Sequence, residues 1–164
     1  MPATELQQYF DAERQAGLLA AGLGLASFTF AAYLWMTGSP FKAMVWPLIV
    51  FGTIELGVGV GLAVRTPPQL RALDVRFAAA PRDAAASELQ RMTRVNRSFR
   101  IIKAGEVVLL AIGVALAMFL PASSLAWRAV GMGLLLQSAV LLVFDIVAEH
   151  RAHVYAQWLA TIGA

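Results

Sequence analysis

One stretch, Met44 to Arg65 (MVWPLIVFGTIELGVGVGLAVR), constrains the fold more than any other. It is long enough to cross a bilayer as a helix, for which about 20 apolar residues suffice. Yet Glu55 stands at its middle. An ionisable group at membrane depth is costly to keep and typically faces protein or water, so Glu55 is the first candidate site. Hydrocarbon leaves such a group only three conditions: neutral, paired or wet. On a helix, Gly52 and Gly59 lie three and four residues either side of Glu55, on its own face. Gly57 and Gly61 form a GxxxG pair on roughly the opposite face. Two flat faces predict neighbours on both sides, with all four glycines in helix packing.

The rest of the chain has the same character. Of 164 residues, 59% are hydrophobic and 14% charged, where soluble domains are about half apolar and a quarter charged. Four apolar runs, about 16–36, 44–65, 101–120 and 125–148, absorb most of the sequence and leave no room for a separate soluble domain. The expected fold is all-α: a polytopic four-transmembrane-helix bundle, one membrane domain over 1–164. The helical rather than alternating pattern argues against an outer-membrane barrel. The first run follows Glu5, Asp11 and Glu13, with Arg14 its one basic flank, and exceeds a signal-peptide core, so it reads as a retained span. There are no cysteines, which excludes disulfides and thiolate chemistry.

In chain order, residues 1–15 place Leu6, Tyr9 and Phe10 at helical spacing, an interfacial helix leading into the first span. Gly38-Ser39-Pro40 stops that span, and Pro47 falls harmlessly in the first turn of the second helix. Pro67-Pro68 is the expected end of the second helix. Between the second and third spans lies an amphipathic and basic helical loop, 66–100. Leu70, Leu73 and Phe77 share one face of it, and Asp83 is the expected N-cap of a helix running on into the third span. Pro121 stops that span, Ser123 or Ser124 is the expected cap of the fourth, and a polar continuation reaches Trp158. A faint repeat pairs Gln15-Ala16-Gly17 with Lys103-Ala104-Gly105.

Lys and Arg near span ends set orientation. Nine lie in 65–103, against Lys42 and Arg128 alone in the other two loops. This predicts a multi-pass protein of the cell inner (plasma) membrane with the 66–100 loop and both termini cytoplasmic.

The polar residues then sort by depth, with Glu55 and Gln137 near the midplane and Glu106 and Asp145 closer to the basic side. Asp145, Glu149 and His153 follow at i, i+4 and i+8, so with Glu106 they form an oxygen-and-nitrogen set suited to a divalent metal. Di-metal bundles carry Glu-x-x-His twice; here the spacing is Glu-x-x-x-His and single. The expectation is therefore ion pairing with Arg100, Lys103 and Arg151, with no metal or other cofactor. Arg91, Arg94, Arg97, Arg100 and Lys103 recur at every third position. Voltage-sensing helices share that spacing, but with apolar residues where this chain has Thr93, Asn96 and Ser98. A polybasic helix touching anionic lipid accounts for the stripe, and Phe99 alone among it is too little aromatic surface for nucleic acid. No phosphate-binding glycine loop, Ser-His-Asp order or HExxH motif is present.

The function expected first is a non-enzymatic membrane module working by helix packing, as a homo-oligomer or an accessory subunit of a larger membrane complex. Two alternatives stand beside it: a proton- or cation-linked transporter or channel centred on Glu55, and a membrane-embedded metal enzyme using Glu106, Asp145, Glu149 and His153.

Overall fold

The computed structural model describes residues 2–163, all of the regular structure among them helical. Four helices carry it: α1 (Pro2–Met36), α2 (Val45–Ala79), α3 (Pro81–Phe119) and α4 (Leu125–Gly163). Each is long and apolar enough to cross a membrane. They pair as two antiparallel hairpins, α1 with α2 and α3 with α4, joined mainly through α2 and α4.

The first hairpin closes at Gly38, whose φ of 63° suits a residue without Cβ. Its neighbours satisfy the helix end: the Thr37 amide bonds Tyr33 O and the Ser39 amide bonds Leu34 O. In the second hairpin, Ser123 and Ser124, expected to cap α4, are the last residues of a 3-10 turn that runs straight into it.

The hairpins hold together by close backbone approach. Gly17 and Gly24 on α1 face Gly59 and Gly52 on α2, at the same seven-residue spacing. A Cβ on Gly24 would lie 2.6 Å from the Gly52 carbonyl oxygen, which leaves no room for a side chain there, and one on Gly52 would be 3.1 Å from the Gly24 oxygen, a tight fit. Gly113 and Gly131 do the same for α3 and α4. Gly105 does not share the role of Gly17: it faces open space, so the sequence repeat does not extend to packing.

The second helix departs from expectation. It passes through Pro67 and Pro68 and ends only at Ala79. The two prolines leave the Ala63 and Val64 carbonyls without i+4 donors, and an internal proline costs ~3 kcal/mol or more. The turns beyond offset that cost. Leu73 is 4% exposed, with Leu70 and Phe77 packed beside the same core, and burial of such side chains returns ~1.5–3 kcal/mol each. The real break is one residue, Ala80, which leaves the helical region (φ −149°, ψ 79°) ahead of a proline that disfavours helical backbone in the residue before it; Pro81 then opens α3. Asp83 therefore stands in the first turn of α3 rather than capping it. The 66–100 segment is not a loop but two helix extensions folded back on each other.

At ~1.5 Å per residue the helices are ~52–58 Å long, about 20 Å more than a hydrocarbon core requires. The surplus lies at one end. There the polar ends of all four helices bury Leu6, Phe10, Leu73, Met92, Tyr155 and Leu159 together. A smaller cluster at the opposite end contains Ala31, Leu34, Met44, Val45, Leu48 and Ala129. Tyr9 stacks on Tyr155 (centroids 4.1 Å, 7° between planes), and Tyr155 on Trp158. Thus the segments read as polar flanks assemble into the larger of the two cores.

Candidate functional site

The glycine seam positions the site. Because Gly52 and Gly59 let α1 lie directly on α2, Ser27, one turn beyond Gly24, comes beside Glu55. The Ser27 hydroxyl donates to Glu55 Oε2 at 3.3 Å and accepts from Gln137 Nε2 at 2.7 Å. Three helices, α1, α2 and α4, thus meet in one buried polar chain. Glu55 is 2% exposed and Gln137 3%. Thr53 takes no part; its hydroxyl bonds Ile49 O on its own helix. Two buried oxygens at this level have no partner among the described residues, Glu55 Oε1 and the hydroxyl of the fully buried Ser138.

Toward the polar end, Glu106 on α3 and Asp145 on α4 stand near enough for their charges to interact. Glu106 is buried, and its Oε2 has no partner. One level further out, Lys103 forms an ion pair with Glu149. That hydrogen bond holds the Glu149 carboxyl below its usual range. His153 is exposed, with Nδ1 3.1 Å from the Glu149 carbonyl oxygen of its own helix. Glu106, Asp145, Glu149 and His153 are therefore not gathered as ligands, and among the described residues no group of three or more His, Asp or Glu side chains has metal-binding geometry.

The five-residue basic stripe divides. Arg91 grips the buried Glu88 in two hydrogen bonds, Nε to Oε2 at 2.9 Å and Nη2 to Oε1 at 2.6 Å. The Tyr155 hydroxyl donates to Glu88 from α4 at 3.4 Å. Lys103 is paired as above. Arg94, Arg97 and Arg100 are exposed and make no ion pair among the described residues. Of the α2 glycines, Gly52 and Gly59 are covered by α1, while Gly57 and Gly61 have nothing within 4 Å of where a Cβ would stand.

Comparison with protein-family models, with curated proteins and with solved structures gives no match for this chain.

Ser138, Glu88 and Tyr155 were not singled out from sequence, and Tyr9 only as part of an interfacial helix. Ser138 adjoins Gln137 and is fully buried, which nothing in the local sequence signals. Glu88 precedes Arg91 by three residues, a spacing that does signal a helical ion pair. Tyr9 and Tyr155, 146 positions apart, carry no local signal of their stack.

Proposed function

We propose that this protein is a small multi-pass membrane module that works by helix packing, assembling with copies of itself or with another membrane chain. The observation that carries this reading is the unequal use of α2. Its Gly52–Gly59 face is occupied by α1, while its Gly57–Gly61 face stays open, flanked by the exposed Ile54, Val58 and Val64. Small residues framed by β-branched ones let a second helix approach closely in lipid, where packing rather than hydrophobicity drives association. The Gln137–Ser27–Glu55 chain fits the same role as an interhelical tie that fixes the two hairpins against each other. By the Lys/Arg rule, the module lies in the inner (plasma) membrane with its polar end and both termini cytoplasmic.

Cysteine cross-linking tests the packing directly, because the chain has none of its own. A single cysteine at Val58 should form a disulfide-linked product in native membranes, whether with a second copy or with the cysteine of a partner. One at Val147, exposed on α4, should not.

A second reading, proton- or cation-linked transport, is favoured by Glu55 Oε1, a buried oxygen without a protein partner. On that reading Glu55→Gln folds but abolishes flux in reconstituted vesicles; unchanged flux removes it.

A further inference from the structure

The cations of this chain differ in what occupies them. At the hairpin-tip end Lys42 lies over the Trp35 ring, 3.8 Å from its centroid, and Arg128 Nε donates to Ala117 O at 3.1 Å. At the polar end Arg65 pairs with Glu13, Arg91 with Glu88 and Lys103 with Glu149, and Arg151 bonds Ala12 O. Arg76 donates to the Ser87 hydroxyl, and Arg14, Arg71 and Arg82 are exposed and make no ion pair among the described residues, but each stands alone. Arg94, Arg97 and Arg100 differ in being three exposed guanidinium groups without an ion pair on consecutive turns of one helix. They fan across one side of α3 over ~9 Å of rise, immediately above the point where it becomes apolar.

The apolar surface below them continues the side of Arg94 and Arg97, with Arg100 at its edge. Ile101 is 67% exposed and Val108 57%, and between them Gly105 leaves a notch with no atom near its missing side chain. The apolar window of α3 is the least covered in the protein, 11% buried against 33% for α2. Anionic groups above and hydrocarbon below is the chemistry this face would complement.

We propose that the outer face of α3 binds an anionic phospholipid, its phosphate held by Arg94, Arg97 and Arg100 and an acyl chain lying along Ile101, Gly105 and Val108. Charge selects this occupant over a second copy of the chain. Arg94, Arg97 and Arg100 present three guanidinium groups without an ion pair among the described residues, so two copies meeting here would bring like charge together. Guanidinium suits the partner, because its planar fork matches phosphate oxygens and stays charged at any physiological pH. The face is also distinct from the open glycine pair of α2, so lipid binding and helix association can be tested separately.

The experiment is native mass spectrometry of the full chain released from nanodiscs with equal phosphatidylglycerol and phosphatidylcholine. The wild type should retain phosphatidylglycerol in preference, and each arginine replaced by glutamine should lower the ratio about fivefold. Lys42→Gln/Arg128→Gln should leave it unchanged. The thermal midpoint of Arg94→Gln/Arg97→Gln/Arg100→Gln in phosphatidylcholine alone checks that it folds; if it does not, Arg97→Gln alone is read. Equal retention of both lipids by the wild type, or a preference that survives loss of the arginines, overturns the proposal. So does displacement by excess inorganic phosphate, which would make this a small-anion site. A disulfide dimer through Gly105→Cys would assign the face to a second copy and overturn it too.

Discussion

Ser27 and Gln137 are 110 positions apart in the chain and 2.7 Å apart in the fold. That single hydrogen bond, extended from Ser27 to Glu55, ties the α1–α2 hairpin to α4 in a region where the surrounding side chains are apolar. Removing the middle of the chain should cost most. Ser27→Ala leaves both Gln137 and Glu55 without their shared partner and should lower stability by about 1 kcal/mol. Glu55→Gln keeps an oxygen to accept from Ser27 and should unfold at the wild-type denaturant concentration. Unfolding in mixed micelles measures both; a Ser27→Ala protein as stable as wild type would show that the tie contributes nothing.

The glycines of α2 should divide by face. A side chain at Gly59 would run into the backbone of Gly17 and Ala21, so Gly59→Leu should separate α1 from α2 and lower the thermal midpoint. At Gly57 and Gly61 a Cβ meets no atom of the described residues within 4 Å, so Gly57→Leu and Gly61→Leu should leave α1 on α2 and lower the midpoint less than Gly59→Leu, by no more than the lost association contributes. Equal midpoints for the Gly59 and Gly61 variants would contradict the packing described for α1 and α2.

Alkaline pH should loosen the polar end first. Burial pushes the Tyr9 phenol up to about 12, and the nearby Glu13 carboxylate adds to the effect; burial raises Tyr155 as well. A phenol whose folded pKa lies above its unfolded value near 10 contributes stability that is complete below about pH 10 and disappears as pH rises through 12. Tyrosinate absorbance, followed with helicity, should show the loss in that window, reduced in Tyr9→Phe. Titration of Tyr9 at the ordinary phenol pKa would mean that the stack with Tyr155 is open in solution.

The sequence pattern locates four apolar helices, the short turns within the two hairpins and Glu55, because a span length and a mid-span charge are both local properties. It misplaces the end of α2, because proline chemistry is local while the packing that carries the helix past Pro67 and Pro68 is not. Leu70, Leu73 and Phe77 are a legible amphipathic face. That they share a core with Phe10, Met92 and Tyr155 requires knowing that all four helices overrun the apolar segments on the same side. The same limit explains the basic stripe. Period-three spacing makes five residues look equivalent, whereas Glu88 and Glu149 remove Arg91 and Lys103 from the set. Likewise, two glycine pairs on α2 look alike in sequence, and only the position of α1 distinguishes the covered pair from the open one.

Orientation is testable without further structure. A cysteine at Arg82, beside the Ala80 break, should react with a maleimide only after the cell membrane is opened. Labelling of intact cells by an impermeant reagent would invert the topology and place the arginines of α3 on the outer surface.

The central claim, that the open face of α2 is an assembly surface, is tested most directly by particle mass. Native mass spectrometry of protein gently extracted from membranes should give a wild-type species heavier than the 17.6 kDa chain. Gly57→Leu/Gly61→Leu, which leaves the chain's own contacts untouched, should reduce that species to the single chain. A wild type that leaves the membrane as a 17.6 kDa monomer, or an assembly that survives both substitutions, would contradict the account.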